Sequence, residues 1–373
     1  MRRSAAAVLL AALLTACGSS SGDAQPSAPA TASPAAAPSS KATSAATPRA
    51  TTSAASAKTI ATGLHVPWGI AVLPGGDALV AERTTGKILR VPRDGGSKRT
   101  VMRVPGVDTN AGEGGLLGLA VSPHYKRDKL VYAYFTAAKD NRIVRFKLGH
   151  RPKPILTGLR RGFIHNGGRL AFGPDGKLYA GVGETGETGL AQDRSSLNGK
   201  ILRMNPDGSV PQGNPFKGSL VWSYGHRNVQ GLAFDAQGRL WATEFGQNRF
   251  DEVNLIRPGR NYGWPNVEGR GDTAGGRYTN PKVTWRTSDA SPSGAAISHG
   301  RLYVAVLQGH GLYRIPLSGT SAGTPKLLYG DRYGRVRTVV RVPGGGLWIA
   351  TSNRDGRGSP KPGDDRIVRV PAS

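Results

Sequence analysis

Gly238-Arg-Leu-Trp-Ala242, followed nine residues later by Asp251-Glu-Val-Asn-Leu255, is the pair of segments on which the fold of this 373-residue chain turns. Both are short, rich in strand-forming side chains and bounded by turn residues, as the two strands of a β-hairpin are. The pair recurs five more times. Asp77–Ala81 precedes Lys87–Val91, Lys129–Ala133 precedes Arg142–Phe146, and Gly176–Ala180 precedes Lys200–Met204. Gly300–Val304 precedes Gly311–Ile315, and Gly345–Ile349 precedes Asp365–Arg369. The marker leucines at 79, 130, 178, 240, 302 and 347 are spaced by 51, 48, 62, 62 and 45 residues. A period near 50 built of short strands predicts an all-β, six-bladed β-propeller with four-stranded blades. A further strand precedes each hairpin: Trp68–Leu73, Leu117–Ser122, Gly168–Gly173, Gln230–Asp235, Gly294–Ser298 and Val336–Val342. A fourth type is visible at Arg99–Val104, Pro154–Leu159 and Pro325–Tyr329. Lys58–Leu64 has that last character but comes first, so it is expected to join the sixth blade and close the ring. The 62-residue spacings leave room for long loops in blades three and four. With 53 Gly and 26 Pro, no long helical period survives.

The chain outside the repeats reads as an export and tethering segment. Residues 1–17 open with Arg2-Arg3 and an apolar run, Ala5–Ala16, which is the make-up of a signal peptide. The ending Leu14-Thr15-Ala16-Cys17 resembles a bacterial lipobox, in which the Cys carries lipid; an ordinary secretory leader with an incidental Cys is the alternative. Residues 18–57 are Ala, Ser, Thr, Pro and Gly except at Asp23, Gln25, Lys41 and Arg49. They cannot bury enough apolar surface to offset the entropy of ordering them, and predict a disordered linker. The expected location is extracytoplasmic, at the outer face of the cell membrane and held there by lipid alone. Cys17 is the single cysteine, which excludes a disulfide framework, a zinc–thiolate site and a cysteine nucleophile in the folded part.

Lys58–Ser373 holds 46 basic and 23 acidic residues, of the chain's 50 and 24. The basic residues are scattered, with no dense run and no aromatic-interleaved RNA-binding motif, so nucleic acid is not the expected partner. A basic surface near anionic envelope polymers, or acidic ligands, accounts for the charge. In a propeller the first strand of each blade lines the channel, so residues leading into those strands gather at one mouth. Here they are Trp68, Glu113, His165, Arg227-Asn228, Ser293 and Arg335/Arg337. Each has a bland reading alone, as a turn or surface residue. Together they would leave charges unpaired at one mouth unless a ligand meets them. Several guanidiniums around one imidazole point to an anionic, multi-carboxylate ligand, because Arg matches carboxylates in a bidentate way.

Four strings sit at these positions: Gly112-Glu-Gly-Gly-Leu-Leu-Gly118, His165-Asn-Gly-Gly-Arg-Leu170, Tyr224-Gly-His-Arg-Asn-Val-Gln-Gly-Leu232 and Asn261-Tyr-Gly-Trp-Pro265. They resemble the glucose/sorbosone dehydrogenase family, whose members are soluble aldose dehydrogenases dependent on pyrroloquinoline quinone (PQQ) and built on a six-bladed propeller. The resemblance runs from about Ile60 to Val370. It implies oxidation of an aldose at the anomeric carbon to the lactone, with electrons passed to an external acceptor. By the same resemblance His165 is the general base, taking the anomeric hydroxyl proton while hydride passes to the quinone, and Glu184 orients it. Arg227 and Asn228 hold the quinone oxygens, and Arg335 and Arg337 grip the cofactor carboxylates. The backbone carbonyls of Gly246 and Gln247 bind an active-site Ca2+, and Glu252 and Tyr262 match ligands of a second, structural calcium.

Three positions depart from the family pattern. Glu113 stands where many members carry Gln, so it is a cofactor-site carboxylate that needs an Arg partner or a proton. Gln308 stands where a cofactor-holding Lys is common, and Gln247 replaces a Pro. Two other readings stay open: a sugar- or polymer-binding propeller without chemistry, and a gluconolactonase-like metal hydrolase. Tyr179, Trp241, Tyr303 and Trp348 are expected to pack between blades. Trp68 and Trp285, the latter expected in a loop near the mouth, are open between packing and ligand contact. His226 is expected to orient the His-Arg-Asn turn.

Overall fold

The computed structural model describes residues 56–372. The expected leader, its Cys17 and all but the last two residues of the expected linker lie outside the described residues. Six antiparallel sheets follow one another along the chain. Blade one runs from the inner strand Pro67–Val72 through Ala78–Glu82 and Lys87–Val91 to Arg99–Arg103. The inner strands of the others are Leu116–Val121, Leu170–Phe172, Val229–Phe234, Pro292–Ser298 and Val336–Arg341. In blade five both Ser321–Ala322 and Lys326–Leu328 pair with the third strand. Blade six takes its outermost strand from the start of the domain: Lys58–Ala61 pairs with Ile367–Pro371, with Lys58 opposite Arg369 and Ala61 opposite Ile367. That pairing leaves no open sheet edge between the two ends of the ring. Among the described residues the helical content is one turn at Tyr125–Asp128 and a 3-10 turn at Thr188–Ala191.

Long loops occur where the wide spacings put them: residues 183–199 and 205–220 in blade three, and 257–282 in blade four. Trp285 is not in such a loop. It lies in the outer strand Val283–Arg286 and its ring leans on Tyr313 of blade five, 5.0 Å between centroids, so it packs one blade on the next.

Apolar residues on the second strands fill the spaces between neighbouring blades. Tyr132, Tyr179, Trp241, Tyr303 and Trp348 are buried, each between its own blade and the following one. The strand pairing corrects the repeat register in two blades. Leu178, Leu240 and Leu347 lie opposite the last residue of their inner strands, and in blades one and two that place belongs to Ala78 and Val131. The marker leucines 79 and 130 are therefore one residue late and one residue early. A one-residue slip reverses the face, so Leu79 packs toward blade two and Leu130 lies at the edge.

Counting back three residues from the inner-strand residues opposite Ala78, Val131, Leu178, Leu240, Leu302 and Leu347 gives Gly69, Gly118, Arg169, Gly231, Gly294 and Thr338, one position per blade, around the channel. Four are glycines for want of space. A Cβ at Gly118 would lie 2.0 Å from the Gly168 carbonyl oxygen, and one at Gly231 would lie 2.4 Å from that of Ser293. Arg169 is the exception that fills the centre. Its guanidinium stacks 4.1 Å above the Trp68 ring and donates to the Gln230 carbonyl and, at 3.3 Å, to Thr338 Oγ1. Trp68 thus packs the channel and also lines the cavity above it. Replacing Gly118 with Ala should lower unfolding stability by about 3 kcal/mol, since backbone must move to admit the methyl group. Gly75→Ala, with nothing within 4 Å of the added carbon, should change it little. Thermal unfolding of the two variants checks this.

Candidate active site

Two sets of strand ends meet at one mouth. Residues leading into inner strands lie opposite residues leaving second strands, as Val229 lies opposite Glu244 and Pro67 opposite Glu82. Together they line a cavity of about 850 Å3. Glu113, His165, Arg227, Gly246, Gln247, Gln308, Arg335 and Arg337 all reach its wall. Sequence reasoning followed the inner-strand starts and missed Arg83, Asp355 and Arg357, which lie beyond the ends of second strands and complete the wall. The signal was available for Arg83, which directly follows the strand Ala78–Glu82.

His165 is buried at the wall with a backbone φ of 53°. Its Nδ1 lies 2.5 Å from Glu184 Oε1. A carboxylate only accepts, so Nδ1 carries the proton and Nε2 keeps its lone pair. Glu184 itself is sealed behind the imidazole, and its Oε2 has no hydrogen-bond partner. The His165 N–H donates to Glu113 Oε2 at 3.0 Å, while Arg357 donates to Glu113 Oε1 at 2.9 Å. The departure at Glu113 thus has its Arg partner.

The opposite chemistry gathers around Asp355. Arg335 donates to its Oδ2 through Nε and Nη2, at 3.2 and 3.0 Å, and Arg337 Nη2 lies 3.6 Å away. Burial alone would raise the Asp355 carboxyl, but the charges of Arg337 and Arg335 outweigh it and hold it below the usual carboxylate range. Desolvation in turn pushes the Arg83, Arg227 and Arg337 guanidiniums down, Arg337 to about 10. The Nε atoms of Arg83, Arg227 and Arg337 are buried without a partner. Arg169, below, has no carboxylate partner among the described residues, and burial and Arg337 both lower it, to about 9. The wall holds more donors than the protein supplies acceptors for.

Arg227 is held by the two strings that the sequence singled out. Its N–H donates to Glu244 Oε1, and His226 Nδ1 bonds Glu244 Oε2 at 2.8 Å. His226 Nε2 meets Ser223 Oγ at 2.8 Å. The Asn261-Tyr-Gly-Trp-Pro265 loop docks on this turn: Tyr262 stacks on His226 at 4.8 Å, and the Arg227 guanidinium lies 5.4 Å from the Trp264 ring. The buried Ser-His-Glu chain orients the turn and has no access to the cavity.

Asn228 does not reach the cavity wall. It is buried beneath it, where its Oδ1 accepts from the Gly167 N–H and from Gln230 Nε2. The Gly246 and Gln247 amides are tied to Asp251 and Glu268 at 2.9 and 2.6 Å, and neither carbonyl accepts a hydrogen bond among the described residues. Among the described residues no three His, Cys, Asp or Glu side chains are grouped to hold a metal. Glu252 and Tyr262 lie together behind the main cavity. The Tyr262 hydroxyl already donates to the Leu255 carbonyl and accepts the Arg257 N–H. Burial and the charge of Glu244 push Glu252 up to about 8.

The sequence profile of the family described as Glucose / Sorbosone dehydrogenase matches residues 64–361. The PQQ-bound structure of an aldose sugar dehydrogenase from Streptomyces coelicolor is 54% identical, covers 84% of this chain and 97% of its own, and superposes with a TM-score of 0.81. Quinoprotein glucose dehydrogenase B of Acinetobacter calcoaceticus is 36% identical over 284 residues, covering 65% of this chain but only 59% of that protein. An aldose sugar dehydrogenase of Escherichia coli is 27% identical over 79% of this chain and 89% of its own.

Replacing Asp355 with Asn leaves two buried guanidiniums unbalanced and should lower unfolding stability at pH 7 by about 3 kcal/mol. The Asp355 pKa is depressed on folding, so its stabilisation is present above the unfolded value and is lost as pH falls through the folded one. The gap between wild type and Asp355→Asn should therefore be full at neutral pH and shrink below about pH 4, in denaturant titrations run across that range.

Proposed function

We propose, from the premise that this chain belongs to the glucose/sorbosone dehydrogenase family, that it oxidises an aldose at its anomeric carbon to the lactone, with PQQ as cofactor and an external acceptor for the electrons. One arrangement carries the reading: a base with its orienting carboxylate, His165 and Glu184, on the wall of a cavity otherwise crowded with arginines whose buried Nε atoms have no partner. Orphaned donors fit an acceptor-rich, polyanionic group. Arg83, Arg335 and Arg337 would take its carboxylates, and Arg227 its quinone side. Gln308, where the family often has Lys, would offer a neutral contact in place of a charged one. When bound, the quinone would supply the two-electron acceptor.

The chain's own residues do the rest. His165 Nε2 accepts the proton of the anomeric hydroxyl as the C1–H bond is broken, so that the carbonyl of the lactone forms. Glu184 fixes the tautomer that leaves Nε2 free and stabilises the imidazolium that results. Arg227, pinned by Glu244 and Trp264, holds positive charge beside the reacting centre without having to reorganise. Glu113 supports the strained His165 backbone and, paired with Arg357, adds no net negative charge. Asn228 acts from beneath, by fixing Gly167 and Gln230.

The carbonyls of Gly246 and Gln247 are the proposed ligands of a catalytic Ca2+, a cation suited to oxygen ligands alone. Their unengaged acceptors and the anchoring of their amides by Asp251 and Glu268 support this. The leader sequence supports export and a lipid anchor, which would place the domain where sugars and an acceptor meet outside the cytoplasm. A metal-dependent hydrolase fits less well, because its cation would face the arginines on the wall with no bound polyanion to offset their charge, which the quinone carboxylates would do for Ca2+.

His165→Gln should lower kcat about a thousandfold, within the range for loss of a general base, and leave quinone affinity nearly unchanged. Full activity in that variant would remove His165 from the mechanism. Chelation should abolish dye reduction in the wild type, and Ca2+ should restore it.

A further inference from the structure

Phe163, two residues before His165, is the most exposed large apolar side chain among the described residues, at 78% of its surface, and it lines the cavity. The next two, Val210 and Leu327, are each 40% exposed. A lone exposed ring often sits on a mobile loop and means nothing. This one does not. The Arg160 N–H donates to Asn198 Oδ1, and the Arg160 carbonyl accepts from Asn141 and Asn198. Arg161 is tied to Asp108 and to the carbonyls of Ala137 and Ala138. Gly162 and Asn166 exchange two hydrogen bonds, and the Phe163 carbonyl accepts the Glu113 N–H. The ring also presses on Gly112, where an added Cβ would lie 2.7 Å from Phe163 Cδ2. The backbone on both sides of Phe163 is tied down, and its ring is the large apolar side chain of the segment most open to water at the rim.

The surroundings say what it is kept open for. Charged groups stand close by: Arg160, three residues back, pairs with Glu187, and Glu113, whose N–H donates to the Phe163 carbonyl, pairs with Arg357 on the cavity wall. Of the other large apolar side chains exposed among the described residues, Val210 and Leu327, neither lines the cavity, so Phe163 is not part of the broad exposed apolar face a protein partner needs. A single ordered ring edged by charged and hydrogen-bonding groups suits a ligand with one small apolar face and many hydroxyls. A pyranose has both. The cavity of about 850 Å3, near the upper end of the range for small-molecule sites, would hold the quinone and the reducing-end unit, so a further unit would lie at its rim, where Phe163 stands.

We propose that Phe163 is the platform of a second sugar subsite. The reducing-end unit of an oligosaccharide reaches His165, and the next unit lays its C–H face on the Phe163 ring. This rests on the reading of the cavity as an aldose site. The substrate class is then oligosaccharides with a free reducing end in preference to free monosaccharides, and Phe163 is a specificity-determining residue with no part in the chemistry. A fixed ring suits this role, because little ordering entropy opposes binding.

The test compares wild type, Phe163→Ala and Phe163→Trp with glucose, maltose and cellobiose, by KM and kcat and, without quinone, by saturation-transfer NMR on the same sugars. The expected result is a KM for at least one disaccharide about tenfold higher in Phe163→Ala, equal to about 1.4 kcal/mol of lost binding. The glucose KM and all kcat values should stay within about twofold, inside what a lost surface contact explains, and Phe163→Trp should retain disaccharide binding. Equal effects on glucose and disaccharides, or none, would overturn the subsite while leaving the dehydrogenase reading intact. Ring-dependent disaccharide binding without turnover would uphold the subsite and remove the dehydrogenase. Neither binding nor turnover would remove both.

Discussion

The crowding of six inner strands around one axis is the constraint from which the rest of this molecule follows. Where Gly69, Gly118, Gly231 and Gly294 face the neighbouring backbone, a single added carbon would overlap it. The ring can therefore close only if those positions have no side chain. Two blades break the rule, blade six with Thr338 and blade three with Arg169, whose guanidinium plugs the space the glycines leave. It is held by the Trp68 face and by neutral oxygens, with no acid near enough to balance it. Cation–π contact and oriented carbonyls can hold such a charge in low dielectric, at a cost that favours an anion arriving nearby.

Above that plug the mouth inherits its geometry. Inner-strand starts and second-strand ends are paired by the sheet register, so the side chains that matter stand on ladders rather than on free loops. The cavity separates two chemistries. On one side a carboxylate is spent entirely on orienting one imidazole. On the other, one carboxylate, Asp355, is shared among guanidiniums that outnumber it, leaving donors unused. A base and a cation cradle side by side suit proton removal next to a bound anion, and few other reactions need both.

Much of this was legible in the sequence, for a physical reason. Hairpins repeated every 50 residues or so have one closed arrangement open to them, and the Lys58–Leu64 strand gave the closure before any coordinates did. His165, Arg227, Arg335 and Arg337 could be found because each sits near the start of an inner strand, the first three before it and Arg337 just inside it. Asp355 and Arg357 could not, because they lie inside the stretch between Thr351 and Ile367, where no strand period fixes position. Arg83 could have been found by reading second-strand ends as well as first-strand starts. The slips at Leu79 and Leu130 show the limit of a single marker residue: leucine identity does not fix the face, and the partner strand does. Asn228, Glu252 and Tyr262 were placed by resemblance alone: Asn228 lies beneath the cavity wall with its Oδ1 bonded to Gly167 and Gln230, and Glu252 and Tyr262 lie together behind the main cavity.

Titrating purified Lys58–Ser373 with PQQ in the presence of Ca2+, and following its absorbance, tests the arginine cradle most directly. Saturation at one quinone per chain, weakened by rising salt and lost when Arg335 and Arg337 are both replaced by Met, is the predicted result. No binding at any calcium concentration by a folded wild-type domain would contradict the cradle, and with it the assignment of the cavity to a quinone cofactor.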